Sequence, residues 1–355
     1  MSEHTQITEI LSLITAPAFS VCDGIITQCN DAAQRLLLAG GTSVATLLPQ
    51  DQTSYNDFEG GCLYITLQHN DRTYGASVVA IEGSHVFVLD ADNDHAELKA
   101  LALTASNMRQ PLSSMIATTS SLAASLRQTN DPKVRGQLQQ MKRSLCRMHR
   151  MLCNMSDVLQ YSDGNSNHMV CQNVVSVAEG IFQKSRELCE HSGIRLEYSV
   201  PQETILCSID EPLLERGIFN VISNAIKFSG EGSVIKAVMY RRENRLYISI
   251  QDQGSGVPDS ILSNIFQRYQ RQPGLEDCRF GLGLGLALVR CTARVHNGTV
   301  LVDRPDPIGT RVTLSFPIRQ SAVPILRSDI SRVDYAGGWD HGLLELSDVM
   351  PADLY

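Results

Sequence analysis

The sequence predicts a multidomain α+β chain. An α/β unit spans residues 1–92, an antiparallel helical hairpin 93–162, an α/β sandwich 163–318 and a tail 319–355. Three observations carry this reading. Short β-rich runs separated by turn residues crowd the first 92 positions. Two long stretches then hold an apolar 3–4 rhythm. Beyond them, amphipathic helices alternate with strands and glycine-rich loops. With 355 residues, 43% hydrophobic and 19% charged, the chain can support two or three domains with cores of their own.

In the first unit, an amphipathic stretch at Ile7–Leu11 leads into Ala18-Phe19-Ser20-Val21. An Asp23-Gly24 turn follows, then the strand Ile25-Ile26-Thr27 and a helix opened by Asn30-Asp31. Asp-Gly favours a tight turn, and Asn or Asp at a helix start accepts hydrogen bonds from free backbone N–H groups. Three β-rich runs close the unit at 62–66, 74–80 and 85–89, separated by Asn70-Asp71 and Glu82-Gly83-Ser84. Strand, turn, strand, short helices and three antiparallel strands together resemble a PAS sensor domain. The resemblance implies either a pocket for a small signal molecule or a filled core used for dimerisation.

The hairpin follows from two stripes. Leu98, Leu101, Ala105, Met108, Leu112, Met115, Thr119 and Leu122 step by three and four, as do Val134, Leu138, Met141, Leu145, Met148, Leu152, Met155 and Leu159. Such a rhythm packs helices at shallow left-handed angles, and two helices alone cannot enclose a core. Two copies should therefore pair into a dimeric four-helix bundle. Thr129-Asn130-Asp131-Pro132 breaks the helices, with Pro132 suited to the first turn of the second. Pro111 lies inside the first and should kink it locally.

In the third unit, amphipathic helices around 174–189 and 211–227 alternate with strands such as 246–250 and 311–316. Asn220 and Asn224 are four apart and share one helix face, with Lys227 three residues on. Carboxamide oxygens can bind Mg²⁺, and Lys227 can meet a phosphate as a point charge. Asp252-Gln253-Gly254-Ser255-Gly256 follows a strand directly. Gly281-Leu282-Gly283-Leu284-Gly285 opens a further helix, whose backbone N–H groups and positive dipole end suit phosphates. The glycines do not follow the first strand of a βαβ unit, which disfavours a dinucleotide-binding fold.

These elements, in this order, resemble the catalytic domain of sensor histidine kinases, within the ATPase superfamily shared with gyrase B and Hsp90. The resemblance implies ATP and Mg²⁺ as cofactors. It gives Asp252 the adenine amino group, Asn220 and Asn224 the metal, and Lys227, Gly281, Gly283 and Gly285 the triphosphate. Gly254 and Gly256 would let the backbone pass beneath the base. Residues 265–280 resemble the ATP lid, with Phe266 as its anchor and Arg268 or Arg271 near phosphate. The ATP-hydrolysing branches carry a Glu as general base four residues before the second helix Asn. Here Asn220 occupies that position, as in the histidine-kinase branch.

Ala105-Ser106-Asn107-Met108-Arg109-Gln110-Pro111-Leu112 closely resembles the phosphoacceptor motif S-H-E-L-R-T-P-L of the same family. Arg109 and Pro111 are in place, but Ser106 stands in the His slot and Asn107 in the acidic one. An imidazole is nucleophilic at neutral pH, whereas a Ser hydroxyl needs an adjacent base, and Asn107 cannot accept a proton. His95 lies too early, His149 sits beside the packed seam and His296 reads as a turn or strand-edge residue. Two classes of function follow. One is a cytoplasmic signalling protein that binds ATP and transfers or gates phosphoryl signalling to a response regulator. The other is a pseudokinase that scaffolds a response regulator receiver domain or a partner kinase.

Composition excludes other classes. A net charge of −8 disfavours nucleic acid as the main ligand. No run reaches the roughly 18 apolar residues of a membrane span, and the N-terminus lacks the order of a signal peptide. Ten scattered cysteines without a C-x-x-C pair read as reduced thiols rather than as zinc ligands. The tail carries the only Trp, Trp339, and an apolar run at 342–346, with no chemistry attached.

Overall fold

The computed structural model describes residues 3–81, 83–90, 95–126, 131–161, 164, 166, 168–262, 265–266, 283–305, 308–320, 336 and 338–355. The first unit holds α1 (Glu3–Leu13), β1 (Ala18–Cys22), β2 (Ile25–Cys29), α2 (Asp31–Arg35), α3 (Gln52–Asn56), β3 (Cys62–His69), β4 (Arg72–Ile81) and β5 (Ser84–Leu89). Asn30 caps α2, its side-chain oxygen accepting from the Ala33 backbone, and its amide also ties down the carbonyls of Ile14 and Ala16. Phe19 and Phe87 stack at 4.8 Å over a core that Ile26, Leu48, Tyr55, Phe58 and Ile65 fill from the helix side.

Two long helices follow, α4 (His95–Ser125) and α5 (Pro132–Gln160). Asp131 accepts from the Lys133 backbone and Pro132 opens α5, where its missing N–H costs nothing. Pro111 lies inside α4. The helices use only half of their apolar stripe on each other. Ala105, Leu112, Leu145 and Leu152 are buried together. Met108, Met115, Leu122, Met141 and Met148 stay 38–52% exposed.

The remaining elements are β6 (Val170–Asn173), α6 (Val174–Glu190), β7 (Arg195–Ser199), β8 (Leu206–Ile209), α7 (Glu211–Phe228), β9 (Val234–Arg242), β10 (Arg245–Gln251), α8 (Asp259–Leu262), α9 (Gly285–Val295), β11 (Thr299–Asp303), β12 (Arg311–Pro317) and α10 (His341–Glu345). Along β9 and β10 burial alternates residue by residue. One face therefore packs Ile235, Ala237, Met239, Leu246, Ile248 and Ile250 into the core with the apolar faces of α6 and α7.

Ten strands make one sheet, in the order β2-β1-β5-β4-β3-β11-β12-β10-β9-β7, while β6 and β8 form a separate pair. The seam between the two halves is the antiparallel pairing of β3 with β11, Cys62 opposite Val302 through Tyr64 opposite Val300. Charged pairs flank it: Arg242 with Asp57 at 3.0 Å and Arg290 with Asp90 at 2.7 Å. Asp51 is buried here, its Oδ2 accepting from the Thr66 backbone and Arg245 3.7 Å from its Oδ1. Burial pushes its carboxyl up to about 6, against the pull of that N–H and of Arg245.

The C-terminal segment is not a loose appendage. Leu344, Leu346 and Met350 are fully buried, and the segment packs against α5, α6 and α7. Among the described residues no helix is long and apolar enough to cross a membrane.

Candidate functional site

The site is built on α7. Asp210 caps the helix by accepting from the Leu213 backbone at 3.0 Å. Leu214, Ile218, Val221, Ile222 and Ala225 then bind one face to the core. That anchoring sends Asn220, Asn224 and Lys227 toward a cavity of about 190 Å³, whose other walls include Asp252, Gly256, Gly283 and Gly285. The three separated sequence elements thus meet around one space, with α5 closing it through Arg150, Met151 and Asn154.

Asp252 follows the last residue of β10 and is almost buried. Its Oδ1 accepts from the backbone of Gly254 at 2.8 Å and of Thr310 at 3.0 Å. Burial raises its pKa, and the two backbone N–H groups pull it back in part. Gly256 lines the cavity, but Gly254 does not. A Cβ on Gly254 would collide with the carbonyl oxygen of Phe228 at the end of α7. Gly254 is thus needed for contact between the loop and α7. At the start of α9, a Cβ on Gly285 would stand 3.2 Å from Asn220 Oδ1, so the glycine lets the helix N-terminus approach that carboxamide.

A buried charge network adjoins this wall. Arg150 of α5 donates to Asn220 Oδ1 at 3.0 Å, to Asp348 Oδ2 at 2.8 Å and to Glu345 Oε2 at 3.2 Å. Arg216 donates to Glu345 Oε1 at 2.9 Å and pairs with Asp157 and Asn154. Lys227 Nζ lies 3.1 Å from Asp348 Oδ2, and Arg147 lies 3.2 Å from Oδ1. Burial alone would push the Asp348 carboxyl up, but Arg150, Lys227 and Arg147 hold it below its ordinary range. Burial lowers the Lys227 pKa against the opposing pull of Asp348.

Asn220 and Asn224, expected to hold a magnesium ion, both line the cavity. Asn220 Nδ2 donates to the Arg216 carbonyl at 2.8 Å, which turns Oδ1 toward Arg150, and the guanidinium takes the place of a cation there. Asn224 reaches the cavity wall.

Ser106, Asn107 and Arg109 are exposed on α4, and none lines the cavity. Arg268, Arg271 and Gly281 lie outside the described residues. Phe266 is fully buried, its ring 5.9 Å from Tyr64 of β3. His296 does sit in the turn after α9, yet it is buried, with Nε2 accepting from the Asp210 backbone at 3.0 Å. Arg150, Arg216, Glu345 and Asp348 escaped the sequence reading. The available signal was ionisable residues inside otherwise apolar helix faces and an acidic residue in the apolar run Gly342–Leu346.

Residues 209–320 match the family described as histidine kinase-, DNA gyrase B-, and HSP90-like ATPase. This stretch, about a third of the chain, is similar to that ATPase family. Parts of the chain are similar to sensory kinases. The chain is 30% identical over 246 residues to the adaptive-response sensory kinase SasA of Crocosphaera subtropica, covering 64% of this chain and 62% of that protein. It is 31% identical over 154 residues to the sensor protein KdpD of Clostridium acetobutylicum, covering 42% of this chain but only 17% of the relative. Among solved structures, full-length ShkA in complex with AMPPNP superimposes with a TM-score of 0.51 at 20% identity, covering 64% of this chain and 47% of that one, a likeness of fold.

Proposed function

We propose that this chain is a cytoplasmic signalling protein of the sensor histidine-kinase type that binds ATP and gates phosphoryl signalling to a response regulator without an acceptor of its own. The observation that carries the reading is the cavity in which Asn220, Asn224, Lys227, Asp252, Gly256, Gly283 and Gly285 converge, set against Ser106 standing exposed on α4. Asp252 would accept from the adenine amino group. Lys227 and the N-terminus of α9, through Gly283 and Gly285, would face the phosphates. Gly281 and Arg268 are proposed to complete the phosphate end.

Among the described residues no carboxylate or imidazole is hydrogen-bonded to Ser106, and its neighbour is Asn107. A Ser hydroxyl without a base is a poor phosphoryl acceptor. Arg109 and Pro111 keep the surroundings of the family's motif while the nucleophile is gone.

Residues 1–92 are proposed as a PAS-like sensor, 93–162 as the dimerisation hairpin, 163–318 as the ATP-binding unit and 319–355 as a tail. Two strands, two short helices and three antiparallel strands support the first. Its aromatic core supports the filled-core alternative. The exposed methionines of α4 and α5 are the unpaired half of a four-helix seam, which supports a homodimer. The pseudokinase alternative, a scaffold for a receiver domain or a partner kinase, is favoured by the same unactivated Ser106.

Incubation with γ-labelled Mg-ATP tests this. Wild type should bind ATP in calorimetry yet carry no acid-labile, base-stable label, and Ser106→His should acquire one. Such a label on the wild type would show that another His is the acceptor and would refute the reading.

A further inference from the structure

The C-terminal tail carries two carboxylates into a place where a free tail would leave them in water. Its anchors are apolar. Leu346 and Met350 enter the core of the ATPase helices, and Leu344 packs with Ala336 and with Cys146 of α5. The backbone is ordered by its own bonds, Leu344 N to the Asp340 carbonyl, Leu346 N to Gly342 and Met350 N to Leu346, each at 2.9 Å. Lys184 of α6 holds Asp340 at 2.8 Å. Held this way, Glu345 bridges Arg150 of α5 to Arg216 of α7, and Asp348 lines the nucleotide cavity itself.

The position of Asp348 is specific. Its Oδ2 is 3.1 Å from Lys227 Nζ and 2.8 Å from Arg150 Nη1, so a carboxylate holds the lysine proposed to meet phosphate. Arg150 in turn donates to Asn220 Oδ1, the oxygen expected to face a metal ion. A guanidinium therefore stands where the family would put a cation, and a carboxylate where it would put a phosphate. Asp252, Ile250, Gly256, Ile261 and Val312, all outside the tail, also line the cavity.

We propose that the tail is an intramolecular competitor for the phosphate end of the nucleotide, with the Arg150–Asp348 pair imitating a metal–phosphate pair, so that ATP and the docked tail exclude one another. This rests on the reading of the cavity as a nucleotide site. Exchange between the two states is electrostatically feasible. The triphosphate is itself polyanionic, so on binding it replaces Asp348 as the counter-ion of Lys227 and Arg150 and leaves neither cation buried alone. Glu345 couples this exchange to geometry. While the tail is docked, Glu345 pins the ATPase helix α7 to α5, and ATP binding would loosen that pin.

The test compares two ligands on the full chain. Adenosine reaches only the base end, whereas Mg-ATP needs the phosphate end. Asp348→Asn keeps the side-chain volume and removes the charge. Adenosine should bind wild type and variant equally, while ATP should bind the variant about tenfold tighter or more, the equivalent of one lost charge-assisted contact. In wild type, saturating ATP should speed hydrogen exchange at the amides of Leu344, Leu346 and Met350, and adenosine should not. The exchange arm needs no substitution, so it decides the matter even if the variant folds poorly. Adenosine binding to both proteins, with equal ATP affinity and an unchanged tail, would overturn the competition while leaving the site intact. If neither ligand binds either protein, the nucleotide reading falls and the competition falls with it.

Discussion

Asp252→Asn isolates recognition of the base from support of the loop. The carboxylate has two tasks on two oxygens. Oδ1 accepts from Gly254 N and Thr310 N and so ties the loop after β10 to the strand entering β12. On the proposed reading the second oxygen would accept from the adenine amino group. Asn keeps an acceptor for the two backbone donors but replaces the other oxygen with an NH₂, so donor would face donor. The loss is a hydrogen bond to a charged group, worth about 1.5–3 kcal/mol, plus the desolvation of a donor left unpaired. About 3 kcal/mol in all corresponds to roughly two orders of magnitude in Kd. Asp252→Ala differs in kind, because it also orphans both backbone donors and should lower the unfolding midpoint, which Asp252→Asn should not. Calorimetric titration with ATP and thermal unfolding of the two variants separate these effects. The pH dependence has a fixed sign. Burial raises the Asp252 pKa, and protonation removes the acceptor. Wild-type affinity should therefore fall toward that of Asp252→Asn as pH drops through that value, while the variant stays flat. If Asp252→Asn binds ATP within threefold of wild type at neutral pH, Asp252 does not read the base.

Glu345→Gln should destabilise the fold by about 2–4 kcal/mol, because two buried guanidinium groups share that carboxylate, with Asp348 and Asp157 as their other carboxylate partners. Denaturant midpoints at unchanged slope would show it, and an unshifted midpoint would remove the network as a structural clamp. Asp51 has a folded-state pKa of about 6 against 3.8 unfolded, so the folded state holds its proton more tightly. Stability should then decline by roughly 3 kcal/mol as pH climbs from about 4 to about 6 and level off above. Asp51→Asn should flatten that dependence in urea titrations run across the range. Met108→Glu with Met115→Glu places charge on the exposed half of the helical stripe and leaves Leu112, Leu145 and Leu152 untouched. Light scattering should then give half the wild-type mass with an unchanged far-ultraviolet spectrum, and a wild type that is already monomeric at micromolar concentration contradicts the seam.

What could be read from the sequence was local. Asn30 caps α2 because a short polar side chain at a helix start reaches its own N–H groups, whatever surrounds it. Asn220, Asn224 and Lys227 share a face because the helical period requires it, and all three line one cavity with Asp252, Gly283 and Gly285. The pairing of β3 with β11 has no such mark. Cys62-Leu63-Tyr64 and Val300-Leu301-Val302 are two apolar runs among many, and nothing in either names its partner.

The tail escaped for a related reason, though its chemistry left a trace. A lone Glu345 among leucines cannot be buried without a cation, and Arg216 cannot lie between Leu214 and Ile218 without an anion. Each is an unexplained charge when read alone, and together they are one contact. The same reasoning applies at the far side of the site, where Asp90 at the end of the first unit meets Arg290 of α9, the helix whose N-terminus bounds the cavity. Arg290 also lies over the ring of Tyr64, which packs on Phe266. The motifs of the third unit thus form only part of the cavity wall, and charges from sequence-distant segments join them, Arg150 of α5 and Asp348 of the tail in the lining and Asp90 on Arg290 of α9. A search for unpaired ionisable residues in apolar stretches would have flagged these charges, whereas a search for family motifs finds only the third unit's share of the wall.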